Sequence, residues 1–183
     1  MLRRLLLVCL IFAAPAFAKE LKGVKMAEAA EVDGKPVKLN GMGLRTKAIF
    51  KVYVAGLYLE ETSKDPAVIL SKDQIRRVDM VMLRDLEKTK IADAITAGFE
   101  KNSGPNMPAL KERLAKLTAA VPDLKEGQMF RLTYVPGKGT TLKGGTGPEM
   151  VTEGKDFADA LFGVWLGKNP VDEDLKEGML GKE

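Results

Sequence analysis

Apolar and polar positions change their period several times along the chain, and each change predicts a change of element. Between Leu21 and Glu60 the pattern is that of strands. Val24-Lys25-Met26 alternates, Asp33-Gly34-Lys35-Pro36 is a turn signal, and Val37-Lys38-Leu39 resumes the alternation. Gly41 and Gly43 then loosen the chain ahead of Arg45. Ile49 to Leu59 is apolar on both faces, which predicts a central strand covered on both sides by protein or by a pocket. Asp65-Pro66 opens a short helix to about Leu70, because proline suits a first helical turn, and Ile75 to Met82 reads as another strand. From Glu87 to Lys101 the period becomes helical, with Ile91, Ala94, Ile95, Gly98 and Phe99 on one face; Met107 to Val121 repeats it with Leu110, Leu114, Leu117 and Val121. Strands return at Met129 to Val135, turn at Pro136 to Gly139, and come back through Thr140 to Lys143. Asp156 is placed to cap a helix reaching Leu166, Gly167 ends it, and Pro170 starts a last helix to about Leu180. Strands, helices, strands, helices is an α+β order, and an antiparallel sheet with helices packed on one side is its natural outcome.

The N-terminus falls outside this pattern. Two arginines, an apolar run from Leu5 to about Ala13, and Ala16-Phe17-Ala18 predict a secretory signal peptide over residues 1–18, cleaved after Ala18. The run is too short for the roughly 18–20 apolar residues that span a bilayer, and no other segment qualifies. The protein is therefore expected to be periplasmic or secreted, as a single domain over residues 19–183. Cys9 is the only cysteine, so the mature chain has no disulfide and depends on packing alone.

Composition then narrows the chemistry. The chain contains no histidine, which excludes Ser-His-Asp and Cys-His catalysis and zinc or copper sites built on those ligands. No cofactor and no metal site are expected. The net charge of +4 becomes +2 without Arg3 and Arg4, and the basic residues form no block, so no nucleic-acid partner is expected. Gly144-Gly145-Thr146-Gly147-Pro148 looks like a phosphate loop only on the surface; it lacks the Gly-Lys-Ser/Thr entering a helix.

Three stretches carry a family resemblance. GMGLRTKAIFKVYVAGLYLE, LTYVPG and FADALFGVWLGKNPVDEDLKEGML together resemble, in order and spacing, the strand block, late hairpin and closing helices of chalcone-isomerase-fold proteins, in the form of a bacterial exported branch. The resemblance implies an open-faced β-sandwich: a large antiparallel sheet, a helical layer, and an apolar cleft between them. It also implies two candidate behaviours. Plant isomerases of this family close a flavanone ring with an arginine that stabilises negative charge. Fatty-acid-binding relatives hold a carboxylate with an arginine and a tyrosine.

Carried over residue by residue, Arg45 matches the family arginine. Tyr53 falls where the isomerases have threonine and the fatty-acid binders tyrosine, and Val164 and Trp165 fall on a ligand-touching pair. The isomerases' tyrosine and asparagine have no match on the Glu87–Lys101 segment; Asn102 lies beyond its expected end. The leading expectation is a non-catalytic exported binding protein for a fatty acid or similar apolar carboxylate, with Arg45, Tyr53, Val164 and Trp165 around the ligand. The runner-up is an intramolecular lyase or isomerase using Arg45 as electrophile. A third reading is an interaction module whose cleft is filled by its own side chains. For the residues themselves, Arg45 is either a ligand anchor or a structural ion-pair partner at a strand end. Tyr53 is either its companion or a core tyrosine, and Trp165 is either core or lining. One geometric condition attaches to the pair. Eight strand steps of about 3.3 Å would put Arg45 and Tyr53 about 26 Å apart on a straight strand, so they can share a ligand only if the chain bends near Thr46-Lys47.

Overall fold

In the computed structural model, which describes residues 17–182, the long strand-like region folds back on itself. β1 (Ala18–Leu21) and β2 (Val24–Ala27) form a small hairpin. β3 (Ala29–Val32), β4 (Lys35–Lys47), β5 (Phe50–Leu59), β6 (Arg76–Met82), β7 (Met129–Val135), β8 (Gly139–Gly144) and β9 (Met150–Thr152) form one antiparallel sheet of seven strands in chain order. Helix α1 (Pro66–Ser71) joins β5 to β6. Helices α2 (Lys88–Ser103) and α3 (Met107–Ala119) join β6 to β7, and α4 (Lys155–Leu166) and α5 (Glu173–Met179) close the chain. This is the expected α+β, open-faced arrangement.

Strand alternation explains the two layers. Leu57, Val78, Leu132 and Leu142 are cross-strand neighbours on one face, and they bury against Phe99 of α2 and Phe157 and Leu161 of α4. On the other face Val24 and Met26 of the β1–β2 hairpin pack on Val54. Gly56 leaves room there for the Met26 thioether. Helix α2 docks on α4 through Gly98, where an added Cβ would lie 2.6 Å from Val164 Cγ1. Among the described residues no helix is long and apolar enough to cross a membrane. The expected signal segment falls almost wholly on residues 1–16, which lie outside the described residues; Ala18 itself opens β1.

Several local expectations are corrected. Gly41 and Gly43 do not loosen the chain: they lie within β4, where side chains would overlap the backbone of α5 at Gly178 and Leu175. The last helix starts after Pro170 rather than at it, because Asp172 caps α5 by accepting from the Leu175 N–H at 2.9 Å. Asp156 is not the cap of α4; Gly154 occupies that position at φ 98°, and Asp156 binds Arg113 from the first turn. The segment after the Gly144–Pro148 turn adds a short edge strand, β9, too brief to show a period of two.

Candidate functional site

The 26 Å separation expected of a straight strand is removed by a tight hairpin. β4 ends at Lys47, Ala48 takes a left-handed conformation at φ 53°, and β5 begins at Phe50. Arg45 and Tyr53 thereby become direct cross-strand partners, with Met82 of β6 next in line. The register slips by one residue between Arg45 and Thr46, leaving Val52 as the extra residue of a β-bulge. The bulge presents Val52 beside Tyr53, and both line the same cavity.

That cavity has a volume of about 530 Å³ and lies between the sheet and helices α2 and α4. Met80, Met82 and Phe130 form its floor, Ile91, Ala94 and Ile95 its α2 wall, and Val164 and Trp165 its α4 wall. Arg45, Tyr53, Val164 and Trp165, predicted from separate stretches of chain, all line it. Its size falls within the range typical of small-molecule sites, and its walls are mostly apolar with a few convergent polar groups.

The polar cluster has a definite hydrogen-bond order. Trp165 Nε1 donates to the Tyr53 hydroxyl at 3.0 Å. Burial pushes the Tyr53 phenol up to about 12, against the opposing pull of that N–H bond and of Arg45. Tyr53 therefore keeps its proton at neutral pH, and among the described residues that proton has no acceptor. Arg45 Nη1 donates to Asp172 Oδ2 at 2.8 Å and to the Thr46 carbonyl. The pair is sheltered, with 18% and 14% of the two side chains exposed. Arg45 Nε and Nη2 have no protein acceptor among the described residues, so the guanidinium keeps donors for a guest. Arg45 is thus both an ion-pair partner and a cavity-lining group.

Asp172 was not foreseen. Pro-Val-Asp-Glu-Asp ahead of a helix was a capping signal, but nothing local indicated that the cap would reach a strand more than a hundred residues away. Its placement depends on α5 lying directly on β4, which Gly43 and Gly178 permit: a Cβ on Gly178 would sit 2.6 Å from the Met42 carbonyl oxygen. Asn102 lies inside α2 and is tied to Gly98, Asn169 and the start of the α4–α5 connection, and it does not line this cavity.

The exposed lining residues define the mouth: Lys47, Phe50, Arg84 and Lys90, with Asp85 and Glu87. Asp85 is engaged by Lys125 at 2.8 Å, whereas Lys47, Arg84 and Lys90 have no carboxylate partner among the described residues. The Arg84 guanidinium lies 4.7 Å from the Phe50 ring centre.

The described residues form an open-faced α+β fold with an apolar cavity lined by an arginine, a tyrosine and a tryptophan. The chain belongs to the chalcone isomerase-like family, whose model matches residues 18–181. Among solved structures, a fatty-acid binding protein of Arabidopsis thaliana superposes with a TM-score of 0.69, covering 90% of this chain and 96% of that one. The two are 14% identical, so the likeness is one of fold. Comparison with curated proteins by sequence finds no match.

Proposed function

We propose that this protein is a non-catalytic binding protein for a fatty acid or a similar apolar carboxylate. The observation that carries the proposal is the convergence of Arg45, Tyr53 and Trp165 on one apolar cavity of about 530 Å³. Arg45 Nε and Nη2 and the Tyr53 hydroxyl offer donors to a carboxylate; Met80, Met82, Ile91, Ile95 and Phe130 accept a hydrocarbon tail. The fatty-acid binding activity of a protein of the same fold supports the reading.

The energies are sufficient without chemistry. A tail of about ten methylenes contributes about 8 kcal/mol on burial, at about 0.8 kcal/mol each. A charge-assisted hydrogen bond to the head adds about 1.5–3 kcal/mol. Lost translational and rotational freedom removes at least about 4 kcal/mol. Before repulsion from Asp172 is counted, the balance corresponds to a Kd of about ten to a hundred micromolar; that repulsion weakens it by about ten- to a hundredfold, and longer tails tighten it.

The lyase alternative draws less support. Tyr53 holds its proton up to about 12, so it does not act as a base near neutral pH. Turnover of a chalcone would favour it. The carrier reading is tested by native mass spectrometry of the purified protein. A co-purifying carboxylate that is lost in Arg45→Ala supports the reading; a wild-type protein that refuses added fatty acids overturns it. We place the protein outside the cytoplasm, in the periplasm or secreted, on the strength of the apolar N-terminal segment. A mature chain beginning at Lys19 in the extracytoplasmic fraction would support this, and an uncleaved cytoplasmic chain would refute it.

A further inference from the structure

The hairpin between β4 and β5 carries two large apolar side chains that the fold does not cover. Ile49 is 87% exposed and Phe50 is 53% exposed. Both sit at the tip of a convex turn, and Phe50 also forms part of the cavity mouth. Lys47 and Lys51 flank the tip, and Arg84 and Lys90 stand across the mouth. None of these four cations is paired with a carboxylate among the described residues, although ion pairs are frequent elsewhere on the surface. Glu87 is the one carboxylate at the mouth that no cation engages.

We infer that this tip docks on an anionic lipid bilayer, with Ile49 and Phe50 entering the interface and Lys47, Lys51, Arg84 and Lys90 facing the headgroups. Apolar burial and attraction of basic residues to anionic lipid act together in such contacts. A protruding tip ringed by unpaired cations complements a deformable, negatively charged surface; a protein partner would have to supply both a pocket and acidic groups placed to match. Docking would set the mouth of the cavity against the bilayer, where a water-insoluble carboxylate is found. That last step rests on the carrier reading; the docking itself does not.

The test uses the chain from Ala18 onward, which holds every described strand and helix and no cysteine, with a polarity-sensitive fluorophore at Ile49→Cys, or at Lys111→Cys on the outer face of α3 as a control. Vesicles of phosphatidylglycerol with brominated acyl chains are expected to quench and blue-shift the probe at position 49, with little effect at position 111. Vesicles of phosphatidylcholine should give at least tenfold weaker apparent binding at position 49. Phe50→Asp, or Lys47→Glu with Lys51→Glu, should weaken that signal at least tenfold. A chain that sediments with vesicles while position 49 stays unquenched overturns the inference, because attachment then occurs elsewhere. Equal quenching on neutral vesicles overturns the assignment to anionic lipid. Dodecanoate binding without vesicles is followed separately through the lone tryptophan, Trp165. Probe insertion without dodecanoate binding would leave the docking standing and remove the carrier reading; dodecanoate binding with no insertion would do the reverse.

Discussion

Arg45 faces two claimants, and the competition between them gives the most discriminating test of the site. Its Nη1 is held by Asp172 at 2.8 Å in a pair largely sheltered from water. A guest carboxylate on Nε and Nη2 would share the guanidinium with Asp172. Two carboxylates on one guanidinium lie about 6 Å apart, and at an effective dielectric of about 20 their repulsion is about 3 kcal/mol. Asp172→Asn removes that repulsion. It also leaves the cap of α5 in place, since asparagine and aspartate cap helices about equally well. Partial exposure of the pair reduces the effect, so the variant should bind dodecanoate about ten- to a hundredfold more tightly than wild type. Arg45→Ala should act in the opposite sense. It removes a charge-assisted bond worth about 1.5–3 kcal/mol and leaves the Asp172 carboxylate facing the guest, so affinity should fall by at least about tenfold. Calorimetric titration below the micelle concentration, with thermal unfolding in parallel, separates affinity from stability. If Asp172→Asn binds no more tightly than wild type while its fold is intact, the guest's head does not sit on Arg45 and the arrangement argued above is wrong.

Other consequences can be measured directly. Gly43→Ala should cost about 1–3 kcal/mol in urea unfolding, because its methyl group overlaps the Leu175 carbonyl oxygen; displacement of α5 and Asp172 should also change dodecanoate affinity. All three tyrosines are shifted upward, Tyr53 and Tyr134 to about 12 and Tyr58 in the same direction, chiefly through burial. A spectrophotometric titration should therefore show little tyrosinate near pH 10 in the native protein, where the unfolded chain ionises. Because the native state binds these protons more tightly, stability should hold below about pH 10 and fall as pH rises toward 12. On the open face of the sheet Asp79 is desolvated, but bonds from Arg77 and Arg131 hold it below the usual carboxylate range. Its contribution is present above about pH 4 and is lost as pH falls through its native pKa; Asp79→Asn should lower neutral-pH stability by about 2–3 kcal/mol and flatten the acid limb of the stability curve.

What the sequence by itself determined was periodicity and chemistry. The two helical stretches with Ile91, Ile95 and Phe99, and with Leu110, Leu114 and Leu117, are legible because a one-sided apolar face is a local property. The absence of histidine and the family pattern narrowed the candidate site to Arg45, Tyr53, Val164 and Trp165, and the fold brings these four to one cavity. What it could not supply was distance. The hairpin at Ala48 has no glycine, asparagine or proline to announce it, so a bend near Thr46-Lys47 stands in the sequence only as a condition for Arg45 and Tyr53 to meet, not as two strands lying side by side. Asp172 meets Arg45 only because α5 lies against the bare backbone of Gly41 and Gly43. Contacts between residues distant in the chain depend on how whole elements pack, and that packing is decided by the combined burial of many side chains rather than by any one segment. The cavity and the charge balance inside it are therefore properties of the tertiary structure.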